Sequence, residues 1–276
     1  MKPLVIYHGN CADGFSAAWC FHHQNPNGYD FFPGVYGKEP PDVTGKDVFL
    51  VDFSYKRSVV EEMIKVAESV TLIDHHQTSI EDLAGLPGLE QYTSLDKSGA
   101  TLAWDYIFSG TQKEAPLLLG HIEDRDLWKF KLPNTTSISA YVFSYEYTFE
   151  NWDELMAADA VKLLSITAAG ASIVRKHNKD IRELLKVCQR RMVIGGLDVP
   201  VASLPYTMSS EAGNVMAEGE PFAACYIDTA DSRVFSLRSR VEGGMDVAKI
   251  AESYGGGGHR NAAGFRVPRD HLLAIA

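Results

Sequence analysis

Val70-Thr71-Leu72-Ile73-Asp74-His75-His76 is the stretch whose reading decides the fold. Its first four residues are β-branched or aliphatic and read as a short buried strand. They run without a break into an acid and two imidazoles, and Gln77-Thr78 then opens a loop leading into a helix. Open α/β sheets hold their ligands beyond the carboxyl ends of the strands. Asp-His-His at such an end supplies three ligand or proton-transfer groups, where a solvated polar strand end is the ordinary alternative.

Working outward, the same arrangement recurs. Val48-Phe49-Leu50-Val51 ends in Asp52, and Leu4-Val5-Ile6-Tyr7 ends in His8-Gly9-Asn10-Cys11-Ala12-Asp13-Gly14. Phe31-Phe32-Pro33-Gly34 holds a further short strand closed by a turn. Over Ser58–Ser69, Val59, Val60, Met63, Ile64 and Ala67 fall at helical spacing. Strand–helix–strand units in series imply a parallel, doubly wound sheet, which puts all the strand ends on one edge. His8 and Asp13, then Asp52, then Asp74-His75-His76 would meet there. Carboxylates crowded at low dielectric repel one another, and a bound divalent cation relieves this. A mixed Asp/His donor set suits Mn²⁺, Mg²⁺ or Fe²⁺, and Zn²⁺ less well.

Downstream, Ser98-Gly99-Ala100-Thr101 caps a helix. A helix over Ala115–Ile122 leads into Glu123-Asp124-Arg125-Asp126, acids that oppose a helix dipole and therefore stand out. Trp152 to Met192 lacks proline and reads as two or three helices, the last of them (Arg175 to Met192) a connector. Val199–Leu204, Phe222–Ile227 and Val234–Arg240 are strand-like, and Asp246–Ser253 is a short helix. Gly255-Gly256-Gly257-Gly258-His259-Arg260 follows. Four glycines cost backbone entropy, which points to amides placed near a ligand as an anion-binding nest, with Arg238 on a neighbouring strand. The expected architecture is α/β: an N-terminal doubly wound parallel-sheet domain (1–185), a helical connector, and a smaller C-terminal α/β domain (195–276) with a cleft between.

Composition narrows the function classes. The 276 residues are 45% hydrophobic, enough for packed cores. No apolar run reaches the ~20 residues of a membrane span. A formal net charge of −10 argues against coating long nucleic acid and leaves room for a small phosphorylated substrate. Cys11, Cys20, Cys188 and Cys225 form no CxxC pair. Met1-Lys2-Pro3 runs straight into a strand without a signal-peptide pattern, so the expected location is cytoplasmic.

The ordered motifs resemble the DHH phosphoesterase family with its DHH-associated C-terminal domain. They are His8 to Gly14, Asp52, Asp74-His75-His76, Asp124 within Glu123–Asp126, and Gly257-Gly258-His259-Arg260-Asn261-Ala262-Ala263-Gly264. The resemblance implies a dinuclear manganese-type centre and hydrolysis of phosphate esters. In it, Asp52 would bridge two ions, His8 and the Cys11 position would hold one, and Asp13, His75 and Asp124 the other. Asp74 would orient His75, and His76 would contact the phosphate or protonate the leaving group. Arg238, Gly256, Gly257, Gly258, His259 and Arg260 would hold the far phosphate or base.

One departure is evident: the family pairs two aspartates one residue apart, and Cys11 takes the first of those places. Asp126 is an alternative to Asp124. The implied activity is hydrolysis of linear dinucleotides (such as pGpG) and short oligoribonucleotides to mononucleotides. Nucleoside 3′,5′-bisphosphate phosphatase, cyclic dinucleotide phosphodiesterase and a non-catalytic nucleotide sensor are the alternatives. Neither long nucleic acid nor membrane is an expected partner, and a homodimer is compatible with the sequence.

Overall fold

The computed structural model describes residues 1–275 and consists of two compact units, Met1–Val174 and a second beginning at Arg175. In the first, β1 (Leu4–His8), α1 (Ala12–Gln24) and β2 (Asp30–Gly34) precede β3 (Asp47–Val51), α2 (Arg57–Val66) and β4 (Ser69–Asp74). Next come α3 (Gln77–Leu83), β5 (Leu89–Thr93), α4 (Gly99–Phe108), α5 (Leu117–Asp126), α6 (Thr135–Val142) and α7 (Phe149–Met156). Helix α8 (Ala160–Cys188) then runs past the end of the unit.

The five strands are all parallel, in the order β2-β1-β3-β4-β5. Their apolar runs are continuous because both faces are buried. Val5, Val51 and Ile73 face a core with Phe15, Trp19, Leu118 and Trp152. Leu4, Ile6, Leu50 and Leu72 face the opposite core with Val60, Met63 and Leu83. The chain leaves β1 toward β2 on one side and returns as β3 on the other, so the order reverses between β1 and β3. Such a switch point opens a crevice at the carboxyl ends of the two strands.

The second unit holds β6 (Gln189–Ile194), β7 (Leu197–Ser203), α9 (Ser209–Met216), β8 (Ala223–Asp228), β9 (Ser232–Arg238), α10 (Val247–Glu252), β10 (Gly257–His259), β11 (Ala262–Pro268) and α11 (Leu272–Ile275). Its sheet, β10-β11-β9-β8-β7-β6, is antiparallel except for the β7–β8 pair.

Several expectations are corrected. The two units divide between Val174 and Arg175, ahead of the expected residue 185, because Ile181 and Leu185 pack with Ala202, Leu204 and Ala212 of the second unit. Residues 189–192 are strand, not the end of a connector helix, and Arg191 is held there by Asp198 and Glu220. Strand β5 and helix α6 have no counterpart in the sequence reading. The glycine run is not an open loop: β10 pairs with β11 across a turn at Arg260-Asn261. A Cβ on Gly256 would lie 2.1 Å from the carbonyl oxygen of Gly264, and one on Gly258 would lie 2.6 Å from that of Ala262. Close backbone approach therefore requires glycine at both places, whatever else the loop does. Among the described residues, no single helix is long and apolar enough to cross a membrane.

Candidate metal centre

The carboxyl ends of β1, β3 and β4 bring His8, Asp52, Asp74, His75 and His76 together, as their parallel pairing demands. Asp52 is the residue on which they converge. Its backbone is left-handed, with φ of 52°, a region that costs most side chains energy but that Asp tolerates. The carboxylate meets His75 Nε2 at 3.0 Å, His8 Nδ1 at 3.5 Å and His76 Nδ1 at 3.8 Å. A Cβ on Gly99 would come 2.4 Å from the Asp52 Cβ, and one on Gly14 would come 2.6 Å from that of His8. Glycine at these two positions lets α4 and α1 begin against the strand ends.

From α1, Asp13 reaches across to α4 and accepts hydrogen bonds from the Gly99 and Ala100 amides at 2.6 and 3.1 Å. It thus serves as an anion at a helix N-terminus, and it also lies 3.7 Å from His75 Nε2. Helix α5 contributes Asp126, 3.5 Å from the same nitrogen. Two triads of ligand atoms result, His8–Cys11–Asp52 and Asp13–His75–Asp126, each lying within 4.8 Å of one another. The Asp52–His75 contact joins them.

Asp124, by contrast, does not join the cluster. Its carboxylate accepts from the Lys131 and Leu132 amides at 2.8 and 3.0 Å and from Thr135 Oγ1 at 2.6 Å. These bonds hold it below the ordinary carboxylate range despite its burial. Asp124 ties the loop after α5 to α6, and Asp126 takes the place expected for it. A second correction concerns Asp74. Its Oδ1 accepts from the His75 amide at 2.8 Å and from His76 Nδ1 at 2.7 Å, so it orients the His76 ring and not that of His75. The resulting charge on His76 is favoured over the opposing effect of burial.

Electrostatics make this a strained assembly. Asp13, Asp52, Asp74 and His75 are each no more than 1% exposed. Burial pushes the Asp13 carboxyl up, as do Asp52 and Asp126. Asp126 is raised first by burial and then by Asp52. The Cys11 thiol rises for the same reasons: burial, then Asp52, Asp126 and Asp13. For His75 burial opposes charge, but Asp52, Asp126 and Asp13 outweigh it and raise the imidazole to about 11. A proton on His75 therefore stands where positive charge is needed. Among the described residues, buried Asp74 Oδ2 has no hydrogen-bond partner and His8 Nδ1 has only its long 3.5 Å contact with Asp52, which is costly unless something else binds them. Two imidazoles, a thiol and three carboxylates with orphaned polar atoms fit a divalent cation.

Tyr36, which the sequence reading does not single out, also belongs to this edge. Its ring packs against His8 and Phe53 at centroid distances of 5.3 and 4.8 Å. Burial, Asp74, Asp52 and Cys11 all raise its phenol. No motif announces it, because it lies in the loop between β2 and β3.

The substrate-binding residues read from the sequence lie in the second unit. Arg238 bonds Ser210 Oγ and the Leu237 carbonyl at 2.8 Å each. Gly257, Gly258 and His259 form β10, preceded by Gly256, whose amide bonds the Ala251 carbonyl. Exposed Arg260 lies 3.7 Å from Asp246.

No family model matches the chain. It is 29% identical over 286 residues to the uncharacterized protein R106 of Acanthamoeba polyphaga mimivirus, covering 95% of this chain and 66% of that protein. Among solved structures, the DHH domain of a member of a ribosomal protein family overlays with a TM-score of 0.59 at 13% identity, covering 97% of this chain and 83% of that one. A pGpG-specific phosphodiesterase from Vibrio cholerae overlays more loosely, with a TM-score of 0.48 at 14% identity, over 100% of this chain and 96% of that one. The chain thus has the fold of DHH-domain proteins.

Proposed function

We propose that this protein is a divalent-metal-dependent phosphoesterase that hydrolyses linear dinucleotides and short oligoribonucleotides to mononucleotides. The observation that carries the reading is the meeting of His8, Asp13, Asp52, His75 and Asp126 at the switch point of a parallel sheet, with like charges left in conflict. The two triads would hold two ions, and their three carboxylates and two imidazoles would suit manganese, the Cys11 thiol being the one soft donor. A bound cation of this kind supplies Lewis-acid polarisation of the phosphoryl group and activation of water.

The chain's own residues do the rest. Asp74 holds His76 through Nδ1, so Nε2 is the atom that meets the phosphate or gives a proton to the leaving oxygen. Asp13, fixed on the α4 amides, and Asp52, fixed by its backbone, keep the ligand positions preorganised. Arg238, Gly256, Gly257, Gly258, His259 and Arg260 are proposed to bind the substrate's remaining phosphate or base. The acidic net charge of −10 favours short substrates over long strands.

The test is an assay of chelator-stripped protein on a panel of pGpG, longer oligoribonucleotides and a nucleoside 3′,5′-bisphosphate, with manganese added back. Activity should return with manganese, be highest on the dinucleotide, and be accompanied by a rise in melting temperature. Full turnover in excess chelator would overturn the metal-dependent reading. A preference for long strands or for the bisphosphate would overturn the substrate assignment.

A further inference from the structure

A pocket opens beside the acid cluster, entirely within the first unit. Cys11, Asp13 and Asp126 line one side of it, and Ile122, Ile138, Val142 and Phe143 supply apolar walls. Its cavity proper is small, about 60 Å³, and the rest of it opens to solvent. A phosphate or a cation has no use for aliphatic and aromatic walls, whereas an organic group attached to that phosphate does.

Arg125 also lines the pocket. Its guanidinium lies 4.3 Å from the centre of the Trp128 ring, 5.9 Å from that of Phe130 and 5.7 Å from that of Phe143. Phe130 and Phe143 remain 36% and 47% exposed, so these rings are displayed at the surface. The loop bearing two of the three rings is strained: Trp128 and Phe130 have φ of 54° and 47°, where bulky residues are rarely found. Asp124 holds that loop closed through the Lys131 and Leu132 amides. Strain kept in place by a buried acid marks a geometry with a use.

His121 adds polar recognition. Thr135 gives its proton to Asp124 at 2.6 Å, so its oxygen accepts from His121 Nδ1–H at 2.9 Å. That assigns Nε2 of the pocket-lining His121 as a hydrogen-bond acceptor.

We propose that the mouth of this pocket, with Arg125 and the exposed Phe143 ring beside it, is a nucleoside subsite for the sugar and base joined directly to the phosphate at the acid cluster. A nucleobase has a π face for Phe143 and the aliphatic walls, and polar edges for Arg125 and His121. Arginine planes and aromatic rings are the surfaces on which single bases stack. The proposal rests on the hydrolase reading for the phosphate's position, but the binding it predicts requires no turnover.

Calorimetric titration of the full chain with manganese compares adenosine 5′-monophosphate with ribose 5-phosphate, which lacks only the base. Wild type should bind the nucleotide about tenfold or more tightly than the sugar phosphate. Phe143→Ala, at an exposed position that leaves the fold intact, should erase most of this gap, and Arg125→Met should narrow it. Leu132→Ala, at an exposed residue outside the pocket lining, should leave it unchanged. Equal wild-type affinities, or a gap that survives both pocket variants, would overturn the subsite. Dinucleotide hydrolysis without a gap would remove the subsite and keep the hydrolase reading. A Phe143-dependent gap in a protein that cleaves no phosphate ester would do the reverse.

Discussion

At the end of β3, Asp52 is surrounded by the carboxylates of Asp13 and Asp126 and the imidazoles of His8, His75 and His76. At the end of β8, Asp228 is surrounded by arginines. Arg233 Nε and Nη2 meet its two oxygens at 2.7 and 3.0 Å, and Arg269 reaches it at 2.7 Å. Arg233 continues to the Leu273 carbonyl and fastens the end of the chain to the sheet. The arginine charge is permanent and its fork geometry fixed, so the Asp228 site is complete in itself. The charge balancing Asp52 sits on imidazoles, where it is a proton that a cation can replace. One arrangement fastens structure, and the other is held open for something that arrives.

The largest expected effect comes from removing the acid at the centre of the open arrangement. Asp52→Asn tolerates the left-handed backbone but loses the ligand charge. We expect hydrolysis to fall on the order of 10²–10³-fold and manganese to stop raising the melting temperature. Wild-type kcat/KM in this variant would break the comparison.

The two acids of α5 should then part company. Asp124→Ala leaves two amides and a hydroxyl without their charged acceptor and should destabilise the fold by roughly 2–3 kcal/mol, read from denaturant midpoints. Asp126→Asn should abolish activity while raising the melting temperature of the metal-free protein, because it removes a part-exposed charge that repels Asp13 and Asp52. Matching behaviour of the two variants would erase the distinction drawn between them.

In the second unit, Gly256→Ala should cost about 1–3 kcal/mol, since its Cβ would press on the Gly264 carbonyl. Chemical denaturation monitored by Trp fluorescence is unsuited to a unit without tryptophan, so amide hydrogen exchange in β10 and β11 is the measurement. Unchanged protection together with lost substrate binding would favour a pure ligand role for the glycines.

The smallest effect concerns Asp228, whose carboxyl its two arginines hold at about 2. That lies below the unfolded value of about 3.9. The stabilisation is therefore full above the unfolded pKa and is lost as pH falls through the folded one. Asp228→Asn should flatten the fall in exchange protection between about pH 4 and pH 2. Its side chain is 38% exposed, so solvent screening keeps the difference modest. An identical acid profile in the variant would show that the arginines do not set it.

The strands that build the centre are legible because burial on both faces makes them uninterrupted apolar runs. Strand β5 is not: at the sheet edge, Glu90 and Gln91 break the apolar run, and Glu90 and Tyr92 face outward. Helix α6 is invisible because its first turn is Thr135-Thr136-Ser137, residues that compete with helical hydrogen bonding. The Asp124–Asp126 choice cannot be made from the motif. Two positions along a helix point roughly 200° apart, and only the docking of α5 fixes which one faces β4. Asp74 poses the same difficulty, since adjacency to two histidines does not reveal which ring it holds.

The scattered origin of the centre has a consequence for how the chain folds. Residues 8, 13, 52, 75 and 126 meet only after β1, β3 and β4 have paired and α5 has docked. In the unfolded chain these charges are solvated and far apart in sequence, so their mutual repulsion arises only once the site is assembled. Interactions formed that late alter the rate of unfolding far more than the rate of folding. A cation captured by the finished site would then act as a brake on opening, lengthening the lifetime of the native state while leaving the speed of its formation nearly untouched.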